Sequence, residues 1–181
     1  MESLQFSDLA VEDLMAAPVT LSGTVTVREA AMFLARAGIG AVPVVSSTKR
    51  YIGIVADVDI YRRLSEAIHG FHSPEEVRTG VPLMGDRLPD AIWGEFNRVG
   101  WTSVRKIARR LSPLQPSDLL AGAFETMRRE GLSALPVVER GEVVGVLHAD
   151  ALTLKLVEFA LRAGPSEAAQ VRRNPIRSHA H

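Results

Sequence analysis

The 181-residue chain has no cysteine, so disulfides, cysteine metal ligands and thiol nucleophiles are excluded. It has no apolar run near the roughly 18 residues that a membrane-spanning helix needs. It has no excess of either charge. The 21 Lys and Arg balance 21 Asp and Glu, which argues against a protein built mainly to neutralise a phosphate backbone. The start, MESLQFSDLA, is acidic and lacks the basic segment and apolar core of a signal peptide. No G-x-S-x-G, H-E-x-x-H or P-loop signature occurs, and no Ser, His and Asp are spaced to assemble nucleophile, base and orienter. These absences set the expectation of a cytoplasmic protein that is not an enzyme and has no nucleic-acid or membrane partner. The remainder, 46% hydrophobic and 23% charged, is ordinary for a globular chain long enough for one or two domains.

What the chain does have is a repeat. GIGAVPVV (38–45) returns as GLSALPVV (131–138), 93 positions later. At the same offset Val27, Ala30, Ala31 and Leu34 fall on Leu120, Ala123, Phe124 and Met127, and VEDLM (11–15) falls on VRKIA (104–108). The following loop is one residue shorter in the second copy, so YIGIVA (51–56) matches VVGVLH (143–148). The copies span 11–66 and 104–159. The chain thus divides into a first repeat with its N-terminal segment (1–66), an insert (67–103), a second repeat (104–163) and a tail (164–181).

Each copy carries the same local signals. A short helix (VEDLM or VRKIA) precedes an extended piece, PVTL or SPLQ. The next helix has apolar residues at i, i+3, i+4 and i+7, and in the first copy opens with the capping box Thr26-x-x-Glu29. Gly38 and Gly131 stand where a left-handed C-terminal cap belongs. A strand containing Pro43 or Pro136 follows, then a turn and a second strand, 52–56 or 143–148. A closing helix begins near Asp57 or Asp150, with Gly70 and Gly164-Pro165 as stops. The order αβαββα, with short, nearly all-apolar strands, implies helices covering a sheet. One such copy of about 55 residues is marginal alone. Two of them packed sheet to sheet about a pseudo-two-fold share a core.

A capped helix, then G-h-x-A-h-P-V-V (h apolar), then h-x-G-h-h-x-x-x-D entering a helix, resembles the CBS (cystathionine β-synthase) domain. Two in tandem resemble a Bateman module, and the match covers both repeats. The resemblance implies an α/β tandem CBS fold and a regulatory module that senses an adenosine-containing ligand in the cleft between repeats. AMP, ADP, ATP, S-adenosylmethionine and NAD are the ligand class, and no cofactor is required. It implies a homodimer and a regulated protein partner. The family ribose motif, G-h-h-[ST]-x-x-D, maps on Gly53 to Asp59, with Ala56 in place of the hydroxyl residue. In the second copy His148 takes that position and Asp150 arrives one residue early. The resemblance therefore points to Asp59 for ribose, Ile39, Ala41, Val42 and Pro43 for the base, and Thr20 and Arg62 for phosphate. His148 and Asp150 are the counterparts in the second copy. Because neither motif is complete, the alternative is a protein–protein interaction module with degenerate, non-binding pockets.

Plainer readings stand beside these. Asp57 and Asp59 at a helix start serve as caps without any ligand. His148 serves as a structural histidine. VRKIARRL, read as a helix, pairs Arg105 with Arg109 and Lys106 with Arg110 at i, i+4, a basic stripe that is a solvated face or a contact for polyphosphate or an acidic partner. His69-x-x-His72 and His179-x-His181 lack the company a metal site needs. The insert holds both tryptophans, Trp93 and Trp101, with Ile92 and Phe96 at helical spacing. It is either a lid on the module's own core or a partner-binding surface. The tail is polar and basic, with a short helix at 166–173.

Overall fold

The computed structural model describes residues 8–69 and 90–162. The first repeat comprises β1 (Leu21–Ser22), α1 (Val27–Ala37), β2 (Ala41–Val45), β3 (Tyr51–Ala56) and α2 (Asp57–His69). The insert contributes α3 (Asp90–Gly100). The second repeat comprises α4 (Leu120–Glu130), β4 (Ala134–Glu139), β5 (Glu142–His148) and α5 (Ala149–Arg162). The expected stops Gly70, Gly164 and Pro165, the tail helix, and His72, His179 and His181 lie outside the described residues, as do the side chains of His69, Ile92, Trp93 and Phe96.

Local chemistry sets the helix ends as expected. At α1 the Glu29 N–H donates to Thr26 Oγ1 at 3.2 Å and the Thr26 N–H donates to Glu29 Oε2 at 2.8 Å, which closes the capping box. These bonds hold the Glu29 carboxyl below its ordinary range, the Thr26 backbone bond being the larger cause. Gly38 and Gly131 end α1 and α4 in left-handed conformations, with φ 66° and 62°. Val27, Ala30 and Leu34 are buried on α1, and Leu120, Ala123 and Met127 on α4.

The first sheet runs β1-β2-β3, with β1 parallel to β2 and β3 antiparallel to it. In the second, β4 pairs with β5, and the single bridge Leu114↔Val137 stands where β1↔β2 does in the first. All five residues of β2 are buried, because the strand is covered on both faces. Two cores result. One joins Val27, Leu34, Val42 and Val55 with Val99 and Val104. The other joins Leu120, Leu135 and Leu147 with Val11, Ala41 and Ile54. Each core thus borrows residues from outside its own repeat.

The repeats are laced together by exchanged segments. Ile54 and Arg109 swap backbone hydrogen bonds at 2.9 and 2.8 Å, and Ala16 and Val146 do the same at 2.9 and 3.1 Å. The bridges Ala10↔Leu119 and Thr26↔Ser103 form a second such pair. Offsets of 93, or 92 beyond the short loop, carry one member of each pair onto the other. The pseudo-two-fold is therefore present in the hydrogen bonding as well as in the sequence.

This lacing corrects one expectation. VEDLM and VRKIA are single 3-10 turns, Val11–Asp13 and Val104–Lys106, and the chain is extended by Arg109. The i, i+4 stripe of Arg105 with Arg109 and Lys106 with Arg110 is absent. Pairing with Ile54 outweighs a modest helix propensity. The insert packs on the first repeat through α3: Val99 is buried, and the Val27 N–H donates to Thr102 O at 2.8 Å. Trp101 is exposed, with the Arg28 guanidinium 6.0 Å from its ring centroid. No described helix is long and apolar enough to cross a membrane.

Gly53 permits the crossing. A Cβ there would lie 2.7 Å from Arg109 O and 3.2 Å from Ala108 Cβ. Gly94, inside α3, has nothing within 4 Å of a Cβ. Gly53→Ala should therefore lower stability by about 1–3 kcal/mol, while Gly94→Ala should raise it by about 0.5–1 kcal/mol. Urea unfolding of both variants checks the pair, and like signs would contradict the packing.

Candidate functional site

β3 ends at Ala56, paired with Ala41, and α2 begins at the next residue. This junction puts Asp59 in the first turn with its carboxylate facing inward. Asp59 is the buried charged residue among those described, at 6% exposure. Its Oδ2 accepts from the Ala56 N–H at 3.0 Å and from Arg109 Nε at 3.0 Å. Arg109 Nη1 donates to Glu130 O, at the end of α4, at 3.1 Å. Arg109 Nη2 is buried and meets no acceptor. Arg109 thus joins the backbone of β3, the first turn of α2 and the last turn of α4.

Above this pair opens a cleft of about 390 Å³. Arg62, Arg63 and Glu66 of α2 form one wall, and Arg98, Thr102, Lys106 and Ile107 form the other, with Asp59 and Arg109 between. Among the described residues, the lining has five cations against two carboxylates. Arg63 is paired with Glu66 at 3.0 Å and Arg98 with Glu95. Arg62 and Lys106 have no side-chain partner among the described residues. A separate groove of about 500 Å³ runs between α1 and α2, lined by Leu34, Ile39, Ile60, Tyr61 and Leu64, with Asp57 and Gly40 at its end.

The residues singled out from the sequence fall in different places. Asp59 and Arg62 meet in the cleft. Ile39 borders the apolar groove, as does Asp57. Ala41 and Val42 are core side chains and Pro43 is buried in β2, so a ligand reaches this strand only through its main chain. Thr20 is exposed ahead of β1 and borders neither cavity. His148 is half-buried at the end of β5. Asp150 is exposed and accepts from the Ala151 N–H at 2.7 Å, as Asp57 accepts from the Val58 N–H at 2.6 Å. Both are cap-like contacts. No group of three or more His, Asp or Glu among the described residues is placed to hold a metal.

The CBS domain model matches residues 11–66 and 103–158. The chain belongs to the CBS domain family. CBS pairs are generally regulatory modules and not catalytic ones. A search of curated proteins finds no match. Among solved structures, the CBS-domain containing protein ATU1752 from Agrobacterium tumefaciens is similar at 19% identity and TM-score 0.59, over 85% of this chain and 98% of that one. The CBS domain pair of protein MJ0100, in complex with 5′-methylthioadenosine and S-adenosyl-L-methionine, is similar at 17% and 0.58, over 83% and 97%. CBSX2, in complex with AMP, is similar at 17% and 0.57, over 83% and 98%. At these identities the likeness is one of fold.

Within this CBS pair, Lys106, Arg98 and Arg109 are cleft residues that the sequence did not assign to the Asp59 site. One signal for Arg109 was present. Position 59 is Asp where its counterpart 151 is Ala, and position 109 is Arg where its counterpart 16 is Ala. One side thus carries both partners of a charge pair and the related side carries neither.

Removing one partner should leave the other charge buried. Arg109→Ala and Asp59→Asn should each destabilise by about 2–4 kcal/mol, below a fully buried pair because Arg109 is 28% exposed. The double variant should cost less than the sum, by about 1–2 kcal/mol. A denaturant double-mutant cycle checks this, and simple additivity would contradict the pairing.

Proposed function

We propose that this CBS pair is a regulatory module that senses an adenosine-containing nucleotide in the Asp59 cleft. The observation that carries the reading is a buried carboxylate, at the ribose position of the family motif, opening on a cleft rich in cations. The ribose hydroxyls donate to Asp59, a geometry that suits a carboxylate acceptor. Arg62 and Lys106 take the phosphate, and Ile107 offers the base its apolar contact. The adenosyl ligands of MJ0100 and CBSX2 support the same class here.

In this reading the ligand competes with Arg109 for Asp59. Arg109 belongs to the second repeat and Asp59 to the first, so its displacement loosens a contact between repeats. The ligand shifts the module by the difference in its affinity for the two arrangements. We assign a homodimer to the outward faces of the helices, where Tyr61, Leu154 and Leu161 are 71%, 63% and 80% exposed. A regulated protein partner reads the change.

The rival reading, an interaction module without a ligand, is favoured by the same Asp59–Arg109 bond, since the carboxylate is already satisfied. A thermal-shift panel of AMP, ADP, ATP, S-adenosylmethionine and NAD separates the two. Micromolar binding at millimolar ligand should stabilise by about 4 kcal/mol, and Asp59→Ala should abolish the shift. No shift with any compound would sink the nucleotide reading. Light scattering on the same samples should give twice the chain mass.

A further inference from the structure

Two edges of the module share a local backbone and differ in sign. On the first, residues 101–106 run beside 22–28. The Val27 N–H donates to Thr102 O at 2.8 Å and the Val104 N–H to Val25 O at 2.8 Å. On the second, residues 8–13 run beside 115–121. The Leu120 N–H donates to Leu9 O at 3.0 Å and the Val11 N–H to Asp118 O at 2.8 Å. An offset of 93 carries each bond of one edge onto its counterpart in the other. The first edge lies on the core that contains Val27 and Val104, the second on the core that contains Val11 and Leu120.

Their exposed side chains are opposite. The first edge presents Arg28 and Arg105, with Trp101 exposed beside Arg28. Its carboxylate, Glu29, is engaged by Thr26. At the positions of Arg28, Trp101 and Arg105 the second edge has Ala121, Asp8 and Glu12. It also presents Asp13, Asp118 and the apolar Leu119, all exposed. Asp13 and Asp118 accept from the Ala10 and Gln115 N–H groups at 2.9 and 2.8 Å, neutral donors that leave the charge uncancelled. Arg28, Arg105, Glu12, Asp13 and Asp118 form no ion pair among the described residues. Each edge thus sets one large exposed apolar side chain among charges of a single sign. An apolar anchor within a charged rim is the anatomy of a protein contact. Opposite potentials steer such surfaces together, and like ones keep them apart.

We propose that the basic edge of one copy of this chain docks on the acidic edge of a second copy, with Arg28 and Arg105 against Glu12, Asp13 and Asp118. The chain itself supplies both halves of the complementarity, but on different cores, so the halves meet between copies. The contact is heterologous, head to tail. It is separate from the helix-face dimer and does not rest on the nucleotide reading.

Sedimentation equilibrium of the full chain at low and at high salt tests this. The mass should be higher at low salt and fall as salt screens the edges. Two variants sharpen the test. Arg28→Glu with Arg105→Glu makes both edges acidic. Glu12→Arg with Asp13→Lys makes both basic, using the residue types that the first edge carries at the corresponding positions. Each alone should weaken self-association at low salt by about tenfold or more, with the circular dichroism spectrum unchanged. An equimolar mixture of the two should associate again, because each brings the edge the other has lost. A mass of two chains at both salts would overturn the edge contact and leave the helix-face dimer standing. A single-chain mass at high salt that rises at low salt would support the edge contact and remove the helix-face dimer. Folded variants that associate like the natural chain, or a mixture that stays apart, would also overturn the proposal.

Discussion

Arg109 is held from both ends, and much of the molecule depends on it. Its backbone pairs with Ile54 in the first repeat, beside the space left by Gly53. Its guanidinium spans Asp59 and Glu130 O, one in each repeat. A single residue therefore fixes the crossing of the linker, satisfies the buried carboxylate and ties the end of α4 to the start of α2. Burying Asp59 without this partner would be costly, since an isolated carboxylate in a low-dielectric site is strongly disfavoured.

The same contact explains why the two halves share a frame yet differ in chemistry. Crossing requires only small residues and free backbone groups, and both halves supply them through Gly53 and Gly145. Charge is an addition to that frame. Asp59 and Arg109 occur on one side, and Ala151 and Ala16 replace them on the other. A symmetric scaffold thus carries an asymmetric site.

The fold was legible in the sequence wherever local chemistry decides the conformation. Thr26 with Glu29, and Gly38 with Gly131, mark helix ends by interactions within a few residues of themselves. The repeat located the strands to within a residue. Asp59 was legible as a position, since the junction between β3 and α2 places it. The arginine facing it was not. VRKIARRL has helical spacing, and only the distant partner Ile54 turns Arg109 into an extended residue. The side-chain positions of Ala41 and Val42 were not legible for a related reason. A strand covered on both faces has no polar alternation to separate cavity-facing side chains from core ones, and both proved to be core.

The central claim is that the acceptor offered to a ligand is the one Arg109 now holds. Side-chain NMR of the arginine Nε–H groups observes that bond directly. During titration with AMP, the Arg109 resonance should shift and its solvent exchange should quicken as Asp59 is taken over, while the Arg128 resonance stays fixed. Saturation by AMP with the Arg109 signal unmoved and still protected would contradict the account.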